Sequence, residues 1–117
     1  MGSVSTEGER KAEFQRAYAK GKRLSSRFFI AYVLSTAESV LRVGVVASRR
    51  VGGAVERNRA KRLLREVFRR NKPPKAVAAD VVLIARATIS EASYKDVEKA
   101  YITGVLRALE GVGDSLG

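Results

Sequence analysis

An α+β or α/β sandwich built on a small sheet is the fold class this sequence predicts, and three observations predict it. Residues 27–34 and 41–48 alternate with the period of two that a strand imposes on its side chains. Residues 56–71 instead repeat their apolar positions at i, i+3, i+4, i+7 and i+8, the stripe of a core-facing helix. Apolar strand and helix patterns then alternate along 117 residues with 45% hydrophobic content, enough for one domain with one modest core.

The elements follow in order. Residues 7–20 read as a short helix with Phe14, Ala17 and Tyr18 on one side and Gly21 as its stop. A further short strand is expected near 22–26. In 27–34, Phe28, Ile30, Tyr32 and Leu34 share one face, and Phe29, Ala31 and Val33 share the other. After a polar turn at Ser35–Ser39, Leu41, Val43, Val45 and Ala47 alternate with Arg42, Gly44, Val46 and Ser48, and the spacing suggests an antiparallel pair with 27–34. Arg49–Val55, with Gly52-Gly53, is a loop entering the helix of 56–71, which Pro73-Pro74 closes. Asp80–Arg86 is an apolar strand. Ser93, with Asp96 three residues on, caps a last helix carrying Val97, Tyr101, Val105, Ala108 and Leu109, which Gly111 ends. The chain reads as a single domain over 1–117, with no role given to residues 1–6.

Charge is concentrated, and its place matters more than its size. The formal net charge is +11, and residues 42–75 alone carry +10 of it, opposed only by Glu56 and Glu66. In the helix, Ala60, Leu63, Leu64, Val67 and Phe68 make the apolar stripe, while Asn58, Lys61, Arg62, Arg65 and Arg69 fall opposite. A solvated surface helix would interleave acids at i, i+4; a row of like charges makes sense mainly against a polyanion. Arginine outnumbers lysine 15 to 8, which favours planar two-pronged contacts with phosphate. A membrane-surface helix is the other option, but the core of so small a domain needs this apolar stripe.

Several chemistries lack their residues. There is no cysteine and no histidine, hence no disulfide, no thiolate metal site and no imidazole base. No apolar run approaches a membrane span, and no secretory signal pattern opens the chain, so a cytoplasmic location is expected and no membrane partner. The carboxylates are scattered, whereas metal-dependent nucleases cluster theirs. Phe14, Tyr18 and Tyr32 can be core or can stack on unpaired bases. The Gly52-Gly53 turn can offer N–H groups to a phosphate or be merely flexible, and it lacks the phosphate-loop spacing.

Arg57-Asn58-Arg59, followed by Lys61-Arg62-Leu63 and Arg65, resembles the signature of the bacterial ribonuclease P protein subunit. Val43-Gly44-Val45 and the run from Ser48 to Val55 resemble that family's strand and loop ahead of the signature helix. Glu13-Phe14, Tyr18 and Lys20-Gly21-Lys22 resemble its opening, and Asp80-Val81-Val82 through Ala85-Arg86 its last strand. The likeness spans about residues 10–110. The segment before Phe14 departs from the pattern in carrying Glu7, Glu9 and Glu13, so no RNA contact is assigned there.

The resemblance implies an α+β sandwich like the second domain of ribosomal protein S5, with a left-handed βαβ crossover where the general rule favours the right hand. It implies an RNA-binding subunit of an endoribonuclease that removes the 5′ leader of precursor tRNA, with the catalytic centre and its Mg2+ in the RNA and no catalytic residue in this chain. Arg57, Asn58, Arg59, Lys61, Arg62, Arg65 and Arg69 are then the expected contacts to the catalytic ribonuclease P RNA. Phe14, Tyr18 and Tyr32, with Val43, Ser48, Arg49 and Arg86 around them, are the expected contacts to the precursor-tRNA leader. No obligate protein partner is expected. The rival reading is an RNA-binding ribosomal or assembly protein.

Overall fold

The computed structural model describes residues 3–4, 11–37 and 40–116. Residues 5–10 of the expected first helix and its flank, and Glu38–Ser39 of the polar turn, lie outside them. In chain order the elements are β1 (Ser3–Val4), α1 (Lys11–Lys20), β2 (Lys22–Ser25), β3 (Phe29–Ser35), β4 (Leu41–Val46), α2 (Ala54–Arg70), β5 (Ala79–Ala85), a 3-10 turn at Ala87–Glu91, α3 (Tyr94–Tyr101), a π turn at Ile102–Leu106 and α4 (Arg107–Leu116).

The strands form one mixed sheet in the order β1-β4-β5-β3-β2. β4 and β5 are parallel neighbours joined through α2, so the basic helix is the crossover of a βαβ unit. β3 and β4 are not the antiparallel pair that their spacing suggests. β5 lies between them, antiparallel to β3 and parallel to β4. The reason is burial: six of the seven β5 side chains are buried, so it needs cover on both faces and takes the centre. Ser3–Val4, in the segment given no role, runs parallel to β4 at Arg42 and Val43.

The period-two pattern divides the two layers. Phe29, Ala31 and Val33 of β3, Leu41, Val43 and Val45 of β4, and Val81 and Leu83 of β5 face the main core. There they meet Ala60, Leu64, Val67 and Phe68 of α2 and Val97, Tyr101, Val105 and Leu109 of the C-terminal helices. The opposite face carries α1, with Phe14, Ala17 and Val82 at the centre and Tyr32, Leu34, Val46 and Ile84 around them. Phe28 precedes β3 and packs against the main core rather than sharing the Tyr32 face.

The termini of the helices are settled locally. Gly21 ends α1, its N–H donating to the Ala17 carbonyl at 2.9 Å. A Cβ there would stand 2.5 Å from that carbonyl oxygen and 3.0 Å from the Val33 oxygen, so the close turn into β2 needs glycine. Ser93 caps α3 by accepting from the Asp96 N–H, as the sequence predicts. Gly111 does not end the last helix: α4 runs on to Leu116, because Val105, Leu109 and Val112 keep one face on the core past the glycine.

Candidate nucleic-acid interface

The α2 side chains sort by angle around the helix. Ala60, Leu64, Val67 and Phe68 are at most 1% exposed, and the opposite face presents Asn58, Arg62 and Arg69 to solvent. Arg57, Lys61 and Arg65 flank that row, half-buried. The helix is entered through Gly52, at φ 145°, a conformation that side chains with a Cβ rarely adopt. Glu56 accepts the Gly53 N–H at 2.9 Å and so closes the first turn.

Two of the expected RNA contacts have partners within the protein. The Arg59 guanidinium donates to the Ala92 carbonyl at 3.1 Å, which turns it toward the start of α3. Arg69 remains exposed, but its Nη2 lies 2.7 Å from Glu66 Oε2, and Arg70 Nε lies 2.9 Å from the same oxygen. The hydrogen bond and charge of Arg69 hold the Glu66 carboxyl below its ordinary range. These pairs are exposed, so their net strength is small and a phosphate can displace them.

On the other face of the sheet, strand register lays out a floor in rows. Leu34, Asp80 and Arg42 are adjacent, then Tyr32, Val82 and Gly44, then Ile30, Ile84 and Val46. α1 covers the first two rows. Tyr18 meets Tyr32 edge-on at 68°, with ring centroids 5.2 Å apart. Partial burial, and then the neighbouring Tyr32, push the Tyr18 phenol above its ordinary value, so it stays neutral. Beyond them, Ile30 and Ile84 of the third row line a recess of about 480 Å³ together with Ser48, Arg50, Arg86 and Thr88. Arg86, on its wall, donates to Ser25 Oγ at 3.4 Å. Ser48 accepts the Arg50 N–H at 3.3 Å, shaping the turn that carries the exposed Arg49.

Among the expected leader contacts, Tyr18, Tyr32, Ser48, Arg49 and Arg86 border this face. Val43 does not: it is fully buried on the opposite face, because odd-numbered β4 residues point into the main core. Phe14 is only 4% exposed, packed on the sheet beneath α1, so it supports the face rather than offering a ring to stack on. The sequence reading missed Arg23. It pairs in register with Tyr32, shares its face and is exposed. The alternation Lys22/Leu24 against Arg23/Ser25 is the signal that could have found it. Arg50, Ile30 and Ile84 were missed likewise; register pairs the two isoleucines, and the turn after β4 brings Arg50 to the recess they line.

The described residues contain no group of three acidic side chains that could hold a metal ion, and no helix long and apolar enough to cross a membrane. The two faces present cations, the Asn58 amide and the Tyr18 and Tyr32 rings.

Comparison with known proteins agrees. The family model described as Ribonuclease P matches residues 9–109. The ribonuclease P protein component of Syntrophomonas wolfei is 40% identical over 96 residues, covering 82% of this chain and 81% of that protein. That of Clostridioides difficile is 35% identical over 97 residues, covering 81% of this chain and 85% of that protein. The solved structure of the Staphylococcus aureus RNase P protein superposes with a TM-score of 0.72 at 29% identity, covering 84% of this chain and 90% of that one. The RNase P protein from Thermotoga maritima gives 0.70 at 28% identity, covering 88% and 94%. On sequence and on fold alike, the chain belongs to the ribonuclease P protein family.

Proposed function

We propose that this chain, a protein component of ribonuclease P, works through two surfaces on opposite layers of its sheet. The observation that carries the reading is their separation: the cationic row rides on α2 over the main core, and the aromatic floor lies on the α1 face. The row around Asn58, Arg62 and Arg65, with Arg57 and Lys61 beside it, docks the catalytic RNA through its phosphates. The α1 face receives the single-stranded 5′ leader of precursor tRNA. Its bases stack on Tyr18 and Tyr32, and its phosphates meet Arg23, Arg86 and Arg49. The loop from Ser48 to Gly53 joins the two surfaces, since β4 leads through it into α2.

The catalytic centre belongs to the RNA. Magnesium, held by the RNA and the substrate, would supply the hydrolytic chemistry when bound; the described residues offer it no cluster. What the protein contributes is differential binding. A substrate with its leader gains stacking and phosphate contacts that the cleaved tRNA lacks, so substrate is held and product is released.

Reconstitution with a bacterial ribonuclease P RNA at low magnesium tests this. Added protein is expected to promote removal of the 5′ leader and to tighten binding of precursor over mature tRNA. Cleavage by the protein without RNA would overturn the placement of the catalytic centre. Co-purification with ribosomal RNA, and no effect on leader removal, would favour a ribosomal or assembly role.

A further inference from the structure

The α1 face holds a charge that is almost wholly out of water. Asp80 is 5% exposed, the one buried charged residue among those described. Its two oxygens accept Nε and Nη2 of Arg42, each at 2.9 Å, in a fork-to-fork pair. The two side chains are 7% and 19% exposed. The same guanidinium lies over Phe14, with Cζ 5.5 Å from the ring centroid. Phe14 is thus held from two sides, by the Arg42 guanidinium and by the bare backbone of Gly44, where a Cβ would stand 2.8 Å from Phe14 Cε2.

This matters because α1 has few other anchors. Phe14 and Ala17 are its buried side chains among those described, and Tyr18 follows one turn later against Tyr32. Where Phe14 sits, the helix sits, and where the helix sits decides the gap between the two tyrosines. We propose that Arg42 and Asp80 are positioning residues for the aromatic floor: they clamp Phe14, and through it set Tyr18 against Tyr32 for the leader. The inference rests on the reading of this face as the leader site. The pair is suited to the task because a buried fork has one geometry. A lysine lacks the planar fork and its stacking face, and an amide at residue 80 removes the carboxylate charge and sets an N–H donor against one arm of the guanidinium.

The test uses holoenzyme reconstituted with wild-type protein, Arg42→Lys or Asp80→Asn. Affinities for leader-bearing and mature tRNA are measured alongside amide exchange of α1 and affinity for the catalytic RNA. Both variants are expected to lose precursor preference by roughly tenfold, about 1.4 kcal/mol, with faster exchange in α1. Binding of mature tRNA and of the catalytic RNA should hold, since α2 is untouched; Arg42→Lys, the milder change, carries the test if Asp80→Asn does not fold. Tighter leader binding by Asp80→Asn would overturn the proposal, because Arg42 would then be a phosphate ligand restrained by its partner. Full preference in Arg42→Lys, or unchanged α1 exchange in both, would overturn it too. Absence of any precursor preference in the wild type would instead remove the leader reading, and this inference with it.

Discussion

Phe14 rests directly on Gly44, so closely that three of its ring atoms lie within 3.2 Å of where a Cβ would stand. A methyl group at residue 44 must push the ring, and the ring is confined from above by Arg42. Gly44→Ala is therefore expected to cost about 1–3 kcal/mol of folding stability, the range for overpacking, and to reduce precursor preference along with it. Denaturant unfolding and paired tRNA affinities check this. A variant as stable and as selective as the wild type would show that α1 can shift without consequence.

Tyr32→Ala removes the half-buried ring that meets Tyr18 while leaving α2 intact. Base stacking on an aromatic side chain contributes about 1–3 kcal/mol, so precursor affinity should fall by that amount and mature tRNA affinity should not change. Equal losses on both substrates would place the leader elsewhere.

The row on α2 predicts a salt dependence. If about five of its cations meet phosphate, log affinity for the catalytic RNA falls against log salt with a slope of roughly −3.5 to −4.5. Charge reversal at Arg62 and Arg65 together should flatten that slope and weaken assembly. Assembly unchanged at physiological salt would sink the docking surface.

Glu66 tunes the same surface from its C-terminal end. It holds Arg69 at 2.7 Å and Arg70 at 2.9 Å, with its carboxyl below the ordinary range. Glu66→Gln should release both cations, tighten binding to the catalytic RNA and steepen the salt slope. Identical slopes for the two proteins would mean that the docked RNA stops short of Arg69.

How far these features could be read from the sequence depends on whether they are local. The apolar and cationic sides of α2 follow from helical periodicity alone, and the Ser93–Asp96 cap from three residues. The two faces of β3 follow from alternation, so Tyr32 falls with Ile30 and Leu34 on the α1 face. What resists such reading depends on neighbours in space. Nothing within 27–48 says that β5 will insert between its two strands. Val43 belongs to the core because β4 presents its odd residues to α2, a choice of face that alternation leaves open. Arg59 resembles its neighbours in sequence, and only the arrival of Ala92 beside it gives its guanidinium a carbonyl partner while it stays exposed. Alternation within 22–25 separates Arg23 from Leu24, but only the register with β3 sets it beside Tyr32.

The last prediction concerns stability rather than RNA. Tyr101 is fully buried in the main core, and its hydroxyl has no hydrogen-bond partner among the described residues. Burial pushes its phenol far above the ordinary value of 10.0. The folded state therefore keeps a proton that the unfolded chain gives up as pH rises through 10. The unfolded state then binds fewer protons, and stability must fall with rising pH from that point on. Below it, both states are protonated and the group contributes no slope. Tyr101→Phe removes the titration and the unsatisfied hydroxyl together, and an unpaired buried polar group costs about 1–3 kcal/mol. The variant should be at least as stable as the wild type at neutral pH and should lose much of the decline above pH 10, in thermal melts taken from pH 7 to 11. A marked loss of stability at neutral pH would show that the hydroxyl has a partner after all, such as an ordered water.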